Sequence, residues 1–156
     1  MMTLNCLASV KTIGGQIDEI KNSNGVIHLA IRDSVESGAC TATKIAENYI
    51  ITAAHCFHGK EITALGMSAL SINPSYKFTP LEFDQIIIHP EFEQLSTEDV
   101  ETVGITFATP DIAIVRVIPS EEFKKLKVVE INYEFIGINE SVEFWGYGCQ
   151  ETINDI

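Results

Sequence analysis

Histidine is the side chain best suited to proton transfer at neutral pH, and one of the four histidines stands in a distinctive segment. His55 lies in Thr52-Ala53-Ala54-His55-Cys56, with His58 three residues further on. An imidazole titrates near neutrality, so His55 has the chemistry of a general base. His55, Cys56 and His58 also offer ligands for a metal, provided that Cys56 carries a free thiolate. A histidine satisfied within the core is a third interpretation, and these residues alone leave all three open.

A nucleophile for acyl transfer is harder to find in this sequence. No serine has glycine two residues away on both sides, so the Gly-X-Ser-X-Gly elbow is absent. The four cysteines are Cys6, Cys40, Cys56 and Cys149, and no two of them have Cys-X-X-Cys spacing. This spacing argues against a zinc ribbon or a thioredoxin-type dithiol, and the even number fits an oxidising compartment.

Short strands must position these residues, because β-branched runs recur along the chain between turn signals. The pattern predicts strands over residues 25–31, 38–45, 48–52, 81–89, 111–118, 127–131 and 141–145. Many short strands at this spacing favour an all-β barrel or sandwich. Helical periodicity is weak, and we predict single turns over residues 52–58 and 120–126, the second with Ser120 as its N-cap.

Composition limits the partners. An apolar fraction of 46% in 156 residues is enough for a real core and too high for intrinsic disorder. The net charge of -12 repels phosphate backbones, so we expect no nucleic-acid partner. No stretch of about 18 apolar residues occurs, so we expect no membrane span.

The segment around His55 resembles the TAAHC motif of the chymotrypsin/trypsin family of serine proteases. Other landmarks follow in the family's order, and the resemblance extends from about Thr12 to the C-terminus. They are the Gly-X-Cys strand at 38–43, the His-Pro-X-Phe segment at 89–92, Asp111-Ile112-Ala113-Ile114-Val115 and Trp145-Gly146-Tyr147-Gly148. The resemblance implies a chymotrypsin-like Greek-key β-barrel, with the first barrel complete and only the start of the second present.

The same resemblance divides the chain into four parts. Residues 1–11 are expected to be propeptide-like or a signal remnant, and residues 12–118 the N-terminal barrel that carries the catalytic histidine and aspartate. Residues 119–140 are expected to link the barrels, and residues 141–156 to begin the second barrel, up to the autolysis loop.

The resemblance implies a trypsin-like serine endopeptidase that hydrolyses protein or peptide substrates through an acyl-enzyme. His55 would be the general base, and Asp111 would accept its Nδ1 proton and fix its tautomer and orientation. Cys40 and Cys56 would form a disulfide closing a loop of about fifteen residues, which stabilises by about 3 kcal/mol and fixes the loop carrying His55. No metal or cofactor is implied, and the family suggests a secreted, extracellular or periplasmic protein.

One departure from the family concerns the nucleophile. No Gly-Asp-Ser-Gly-Gly occurs, and in the family that segment supplies the serine, the oxyanion-hole amides and the pocket that selects the substrate side chain. We therefore predict that this chain alone is inactive and that its partner is a C-terminal barrel segment or a second chain carrying the serine. We also expect the chain to be oligomeric or poorly soluble without that segment. The alternative is a non-enzymatic pseudo-protease binding module.

A second departure concerns activation. Lys11-Thr12-Ile13-Gly14-Gly15 offers a trypsin-like cleavage after Lys11, which would make Thr12 the new terminus. Thr12 is small and polar for a buried slot, so Ile13 is an alternative terminus, and a plain Gly-Gly turn before the first strand is another interpretation. Cys6 and Cys149 stay unassigned, since they pair either with each other or with cysteines outside this sequence.

Overall fold

The structure is a computed structural model that describes residues 12–13, 25–68, 78–94, 109–134, 136–142, 145–147 and 150–151. The fold is all-β, as predicted. The strands are β1 (Thr12–Ile13), β2 (Val26–Asp33), β3 (Ser37–Ala46), β4 (Tyr49–Thr52), β5 (Ile62–Ser68), β6 (Thr79–Pro80), β7 (Phe83–Ile88), β8 (Ala113–Val117) and β9 (Gln150–Glu151). A 3₁₀ turn covers Ala54–Cys56, and two short helices are α1 (Pro90–Glu93) and α2 (Glu121–Lys124). No helix among these described residues is long and apolar enough to span a membrane.

Seven of the strands form one antiparallel sheet in the order β6-β5-β2-β3-β4-β8-β7. Its two outer strands, β6 and β7, are separated along the chain only by Leu81 and Glu82. The Leu81 N–H donates to the carbonyl of Leu65 at 3.0 Å, and Glu82 accepts from the N–H of Ile118 at 2.9 Å. One continuous segment therefore borders both β5 and β8, and the sheet curls round as an antiparallel half-barrel.

The barrel interior is filled by the inward side of alternating strands. In β2, the side chains of Ile27, Leu29 and Ile31 are buried while their neighbours are only partly so. Val115 and Val117 repeat this pattern in β8. Fully burying such a side chain stabilises the fold by about 1.5–3 kcal/mol, so this alternation fixes both the register and the inner face.

The segment after the barrel packs back against it. The Ser120 hydroxyl accepts from the N–H of Phe123 at 3.2 Å, which confirms the predicted N-cap of α2. Phe123 is fully buried, and Leu126 is 7% exposed. Lys44 of β3 is itself only 3% exposed and reaches the carbonyls of Phe123 and Leu126, at 3.0 Å and 3.1 Å. These contacts hold residues 120–126 against the barrel.

Two strand predictions differ from the structure. The strand predicted over residues 127–131 is wrong: Val129 makes one backbone hydrogen bond, to the carbonyl of Lys44, and the segment forms no ladder. The physical reason is that β3 is already paired with β2 on one side and β4 on the other. For the strand predicted over residues 141–145, residues 143 and 144 lie outside the described residues, and the described ones are not in a strand.

Strand β5 was not predicted, because Gly66 interrupts its apolar pattern. A Cβ at Gly66 would lie 3.2 Å from the Cβ of Phe78, so the glycine permits a close approach of neighbouring chain rather than a turn.

Candidate active site

The pairing of β4 with β8 brings His55 and Asp111 to the same end of the barrel. Thr52, the last residue of β4, lies opposite Ala113, the first residue of β8. Because the strands are antiparallel, the residues that follow β4 meet the residues that precede β8. His55 comes three residues after the end of β4, and Asp111 comes two residues before β8.

The 3₁₀ turn is anchored by Ala54, which points His55 away from the core. Ala54 is fully buried, and its carbonyl accepts from the N–H groups of Phe57 at 2.9 Å and His58 at 3.0 Å. A larger side chain at this position would have to displace core neighbours, which typically costs about 1–3 kcal/mol. With Ala54 inward, the His55 side chain is 46% exposed.

Asp111 holds His55 through both of its carboxylate oxygens. Oδ2 lies 2.7 Å from Nδ1 of the imidazole, and Oδ1 accepts from the backbone N–H of His55 at 2.9 Å. The Asp111 side chain is 19% exposed. An ionised carboxylate only accepts hydrogen bonds, so Nδ1 carries the proton in the neutral ring and Nε2 is left as the acceptor. Both the ring and the backbone of His55 are therefore positioned by one side chain.

A disulfide joins Cys40 of β3 to Cys56 at the end of the 3₁₀ turn, with their Cα atoms 6.6 Å apart. This confirms the pairing implied by the family resemblance. It ties the residue after His55 directly to the barrel wall. The alternative metal site of His55, Cys56 and His58 required a free thiolate at Cys56, and that sulfur is bonded to Cys40 in this structure.

Sequence reasoning missed how His58 and His89 support this end of the barrel. The His58 ring meets the buried Phe92 edge-to-face, with ring centroids 5.3 Å apart. The imidazole Nδ1 of His89 caps α1 by accepting from the backbone N–H of Glu91 at 3.3 Å. The backbone N–H of His89 donates to the carbonyl of Ile112 at 2.9 Å. The loop after His55 and the chain beside Asp111 are therefore both fixed to α1. The sequence shows His89, Pro90 and Phe92 only as the His-Pro-X-Phe landmark, which does not reveal what these side chains contact.

Tyr147 brings the C-terminal part of the chain against the barrel. Its ring stacks on His28 of β2, with centroids 5.0 Å apart and planes inclined by 13°. Its N–H donates to Oγ1 of Thr41 at 2.9 Å, while the carbonyl of Thr41 accepts from the Thr52 hydroxyl at 2.8 Å. Burial lowers the pKa of His28 below the usual value of 6.5, because desolvation disfavours the imidazolium.

The remaining site predictions are placed only in part. Thr12 begins β1, which pairs in parallel with β9 through Gln150. Lys11, Cys6 and Cys149 lie outside the described residues. The activation cleavage between Lys11 and Thr12 stays a prediction.

Comparisons with known proteins agree with this geometry. The family model for trypsin matches residues 12–154. Among solved structures, HL collagenase superposes with a TM-score of 0.56 at 17% identity, covering 79% of this chain and 48% of that one. The structure of GrC, granzyme C, superposes with a TM-score of 0.50 at 15% identity, covering 85% of this chain and 52% of that one. A search of curated proteins gives no match.

The match over residues 12–154 shows that the chain belongs to the trypsin family of serine proteases. At 15–17% identity the two solved structures show the chymotrypsin-like fold alone. The chain spans about half the length of the solved structures that it matches.

Proposed function

We propose that this chain is the half of a serine endopeptidase that carries His55 as general base and Asp111 as the residue that orients it. The observation that carries the proposal is the double contact of Asp111 with the ring and the backbone of His55, at 2.7 Å and 2.9 Å. The His55 side chain is also 46% exposed, which supports access of a substrate to the imidazole.

The roles follow the general Ser–His–Asp scheme. Nε2 of His55 takes the proton from a serine hydroxyl as that oxygen attacks the peptide carbonyl, and then gives the proton to the leaving amine. Asp111 stays ionised, keeps the proton on Nδ1 of the neutral ring and stabilises the imidazolium that forms in between. Water then releases the acyl group by the same route, with His55 again as base and then acid.

The serine is proposed to come from a segment outside these 156 residues. Support comes from the absence of Gly-Asp-Ser-Gly-Gly in the sequence and from coverage of only 48% and 52% of the matched structures. The oxyanion-hole donors and the pocket that selects the substrate side chain are assigned to the same segment. On this proposal the chain alone has no peptidase activity.

Exposed apolar side chains between residues 128 and 145 support a missing partner segment. Tyr133 is 90% exposed, Ile138 is 91% exposed and Trp145 is 40% exposed. Apolar surface of this kind marks interaction sites, since each square ångström that is covered stabilises by about 25 cal/mol. We therefore expect the isolated chain to self-associate. A single monomeric species by sizing with light scattering would argue against this part of the proposal.

A fluorophosphonate probe tests the proposal, because it reacts with a serine only when a base activates that serine. The coding sequence is read beyond Ile156, and the protein is labelled together with any segment found there. We expect labelling of a serine outside this chain, and a loss of activity of about 10⁴-fold in Asp111→Asn, the size known for this role in the general scheme. Asp84→Asn is the matched control that keeps activity, since Asp84 is exposed and pairs with Arg116.

The same experiment tests the alternative of a non-enzymatic binding module. A natural protein with no serine segment, or one that never labels, would leave a pseudo-protease that binds without cleaving.

Location is part of the proposal as well. A secreted, extracellular or periplasmic protein fits the Cys40–Cys56 disulfide, since disulfides persist in oxidising compartments.

A further inference from the structure

The short helix α1 contacts both parts of the chain that carry the His55–Asp111 pair. On the Asp111 side, the backbone N–H of His89 donates to the carbonyl of Ile112 at 2.9 Å. The N–H of Ile112 in turn donates to the carbonyl of Pro110 at 2.9 Å, which closes a three-residue turn with Asp111 at its centre. The backbone around Asp111 is therefore tied to the residue that precedes α1.

On the His55 side, the contact with α1 is made by two rings. The ring of His58 meets the ring of Phe92 edge-to-face, with 5.3 Å between their centroids, and Phe92 is fully buried. The backbone N–H of His58 donates to the carbonyl of Ala54 at 3.0 Å, so His58 is bonded to the turn that carries His55. One helix therefore reaches the base through a side chain and its carboxylate partner through the backbone.

We propose that His58 and His89 are positioning residues, which act through α1 to keep the base and its carboxylate partner aligned. The imidazole of His89 accepts from the N–H of Glu91 at 3.3 Å, so it caps the helix against which His58 packs. An aromatic contact shifts the equilibrium between the closed and the open turn by about two- to tenfold. The alignment is a property of the barrel, whereas its meaning for catalysis rests on the proposed function.

Amide exchange measures this alignment, because the backbone N–H of His55 donates to Oδ1 of Asp111 and exchanges with water only when that bond opens. The natural protein, with any segment encoded beyond Ile156, is compared with its variants by NMR. We expect His58→Ala to speed exchange of the His55 amide about two- to tenfold, since loss of the ring contact populates the open turn. This exchange should not respond to low urea concentrations, because a local opening exposes little surface, whereas the β4–β8 ladder should exchange through urea-sensitive unfolding.

Conservative variants separate positioning from a general loss of packing. His58→Phe should restore wild-type exchange, because it restores the ring contact with α1. His89→Ala should also speed exchange of the His55 amide, whereas His89→Asn should not, because asparagine is itself a good helix cap. Lys60→Ala is the matched control in the same loop: Lys60 pairs with the exposed Glu36 at 3.8 Å, so its loss should leave the exchange unchanged. His58→Gln takes the place of His58→Ala if that variant does not fold.

Three results would overturn the proposal: exchange unchanged by loss of either imidazole, an increase that grows with urea as in the β4–β8 ladder, or no rescue by His58→Phe. In a protein that cleaves peptides, His58→Ala should also lower kcat by about two- to tenfold with KM unchanged, because the base acts in the transition state. An unchanged kcat would equally refute the positioning role. A protein that never reacts with the fluorophosphonate probe defeats the proposed function instead, and the exchange measurements still decide the alignment, so the two failures are distinguishable.

Discussion

Replacing Lys44 with methionine tests how the barrel holds the segment that follows it. Lys44 is a buried cation on β3 whose Nζ donates to the carbonyls of Phe123 and Leu126 and lies 4.6 Å from the Phe123 ring centroid. These two carbonyls belong to the last turn of α2 and the residues just after it, where helix carbonyls have no partner in the helix itself. A cation at a helix C-terminus also interacts favourably with the helix dipole.

The expected loss follows from these contacts. The carbonyl of Phe123 still accepts from the N–H of Leu126 in the variant, so the main cost is the carbonyl of Leu126. A buried acceptor left without its donor costs about 1–3 kcal/mol, and loss of the cation–π contact costs about 0.5–2 kcal/mol. Burial lowers the pKa of Lys44, because desolvation disfavours the ammonium, so replacing this charged group with an apolar one offsets part of the loss. We expect Lys44→Met to lose about 2 kcal/mol of unfolding free energy.

Urea denaturation followed by circular dichroism measures this loss, and thermal melting should show a midpoint lower by about 4–8 °C. Lys124→Met is the matched control: Lys124 is exposed and forms an ion pair with the exposed Glu121, which contributes little to stability, so the midpoint of this variant should move little. A Lys44→Met variant as stable as the wild type, or more stable, would show that desolvation of the ammonium outweighs its hydrogen bonds and would refute the reasoning.

Three further predictions use the same denaturation assay. Replacing both Cys40 and Cys56 with alanine should cost about 3 kcal/mol for the opened loop, and an unchanged midpoint would contradict this. Ser120→Ala should cost about 1 kcal/mol through loss of the α2 cap, whereas Ser120→Asn should retain the stability. The lowered pKa of His28 means that the unfolded chain binds its proton more readily than the folded one, so stability falls as pH drops below 6.5. His28→Gln should therefore lose less stability than the wild type between about pH 7.5 and about pH 5.5, and equal losses would contradict the assignment.

The sequence predicted the strands whose apolar alternation is uninterrupted. β2, β3, β4 and β8 lie within one or two residues of their predicted bounds, because one face of each is buried in the barrel. β5 was not predicted, because its last four residues are all buried and include Gly66, so apolar and polar residues do not alternate there. The wrongly predicted strand at residues 127–131 has suitable residue types, but its neighbour β3 is already paired with β2 and β4. Local sequence carries no information about which strand edges are already paired.

The sequence indicates the members of the candidate site, whose catalytic roles stay a prediction, but not the contacts that support them. His55, Asp111, Cys40 and Cys56 were identified through the family's motifs, and the structure brings all four together. The buried amine of Lys44 carries no such motif: in sequence it is a single lysine between Thr43 and Ile45, and the packing of α2 explains its burial. Contacts between residues about 80 positions apart are set by topology, which residue spacing does not reveal.

The His55–Asp111 pair is held by elements that are close to it in the fold. Its geometry depends on the register of β4 with β8, on the buried Ala54 in the turn after β4 and on the disulfide from that turn to β3. Preorganisation of this kind is what a general base requires, since a displaced ring loses proton transfer. The most exposed apolar side chains beyond β8 include Tyr133 and Ile138, and Trp145 is 40% exposed. On the proposed function, the His55–Asp111 pair and these exposed apolar side chains have separate roles, the pair as base and orienting residue and the exposed side chains as the surface that the proposed second segment would cover.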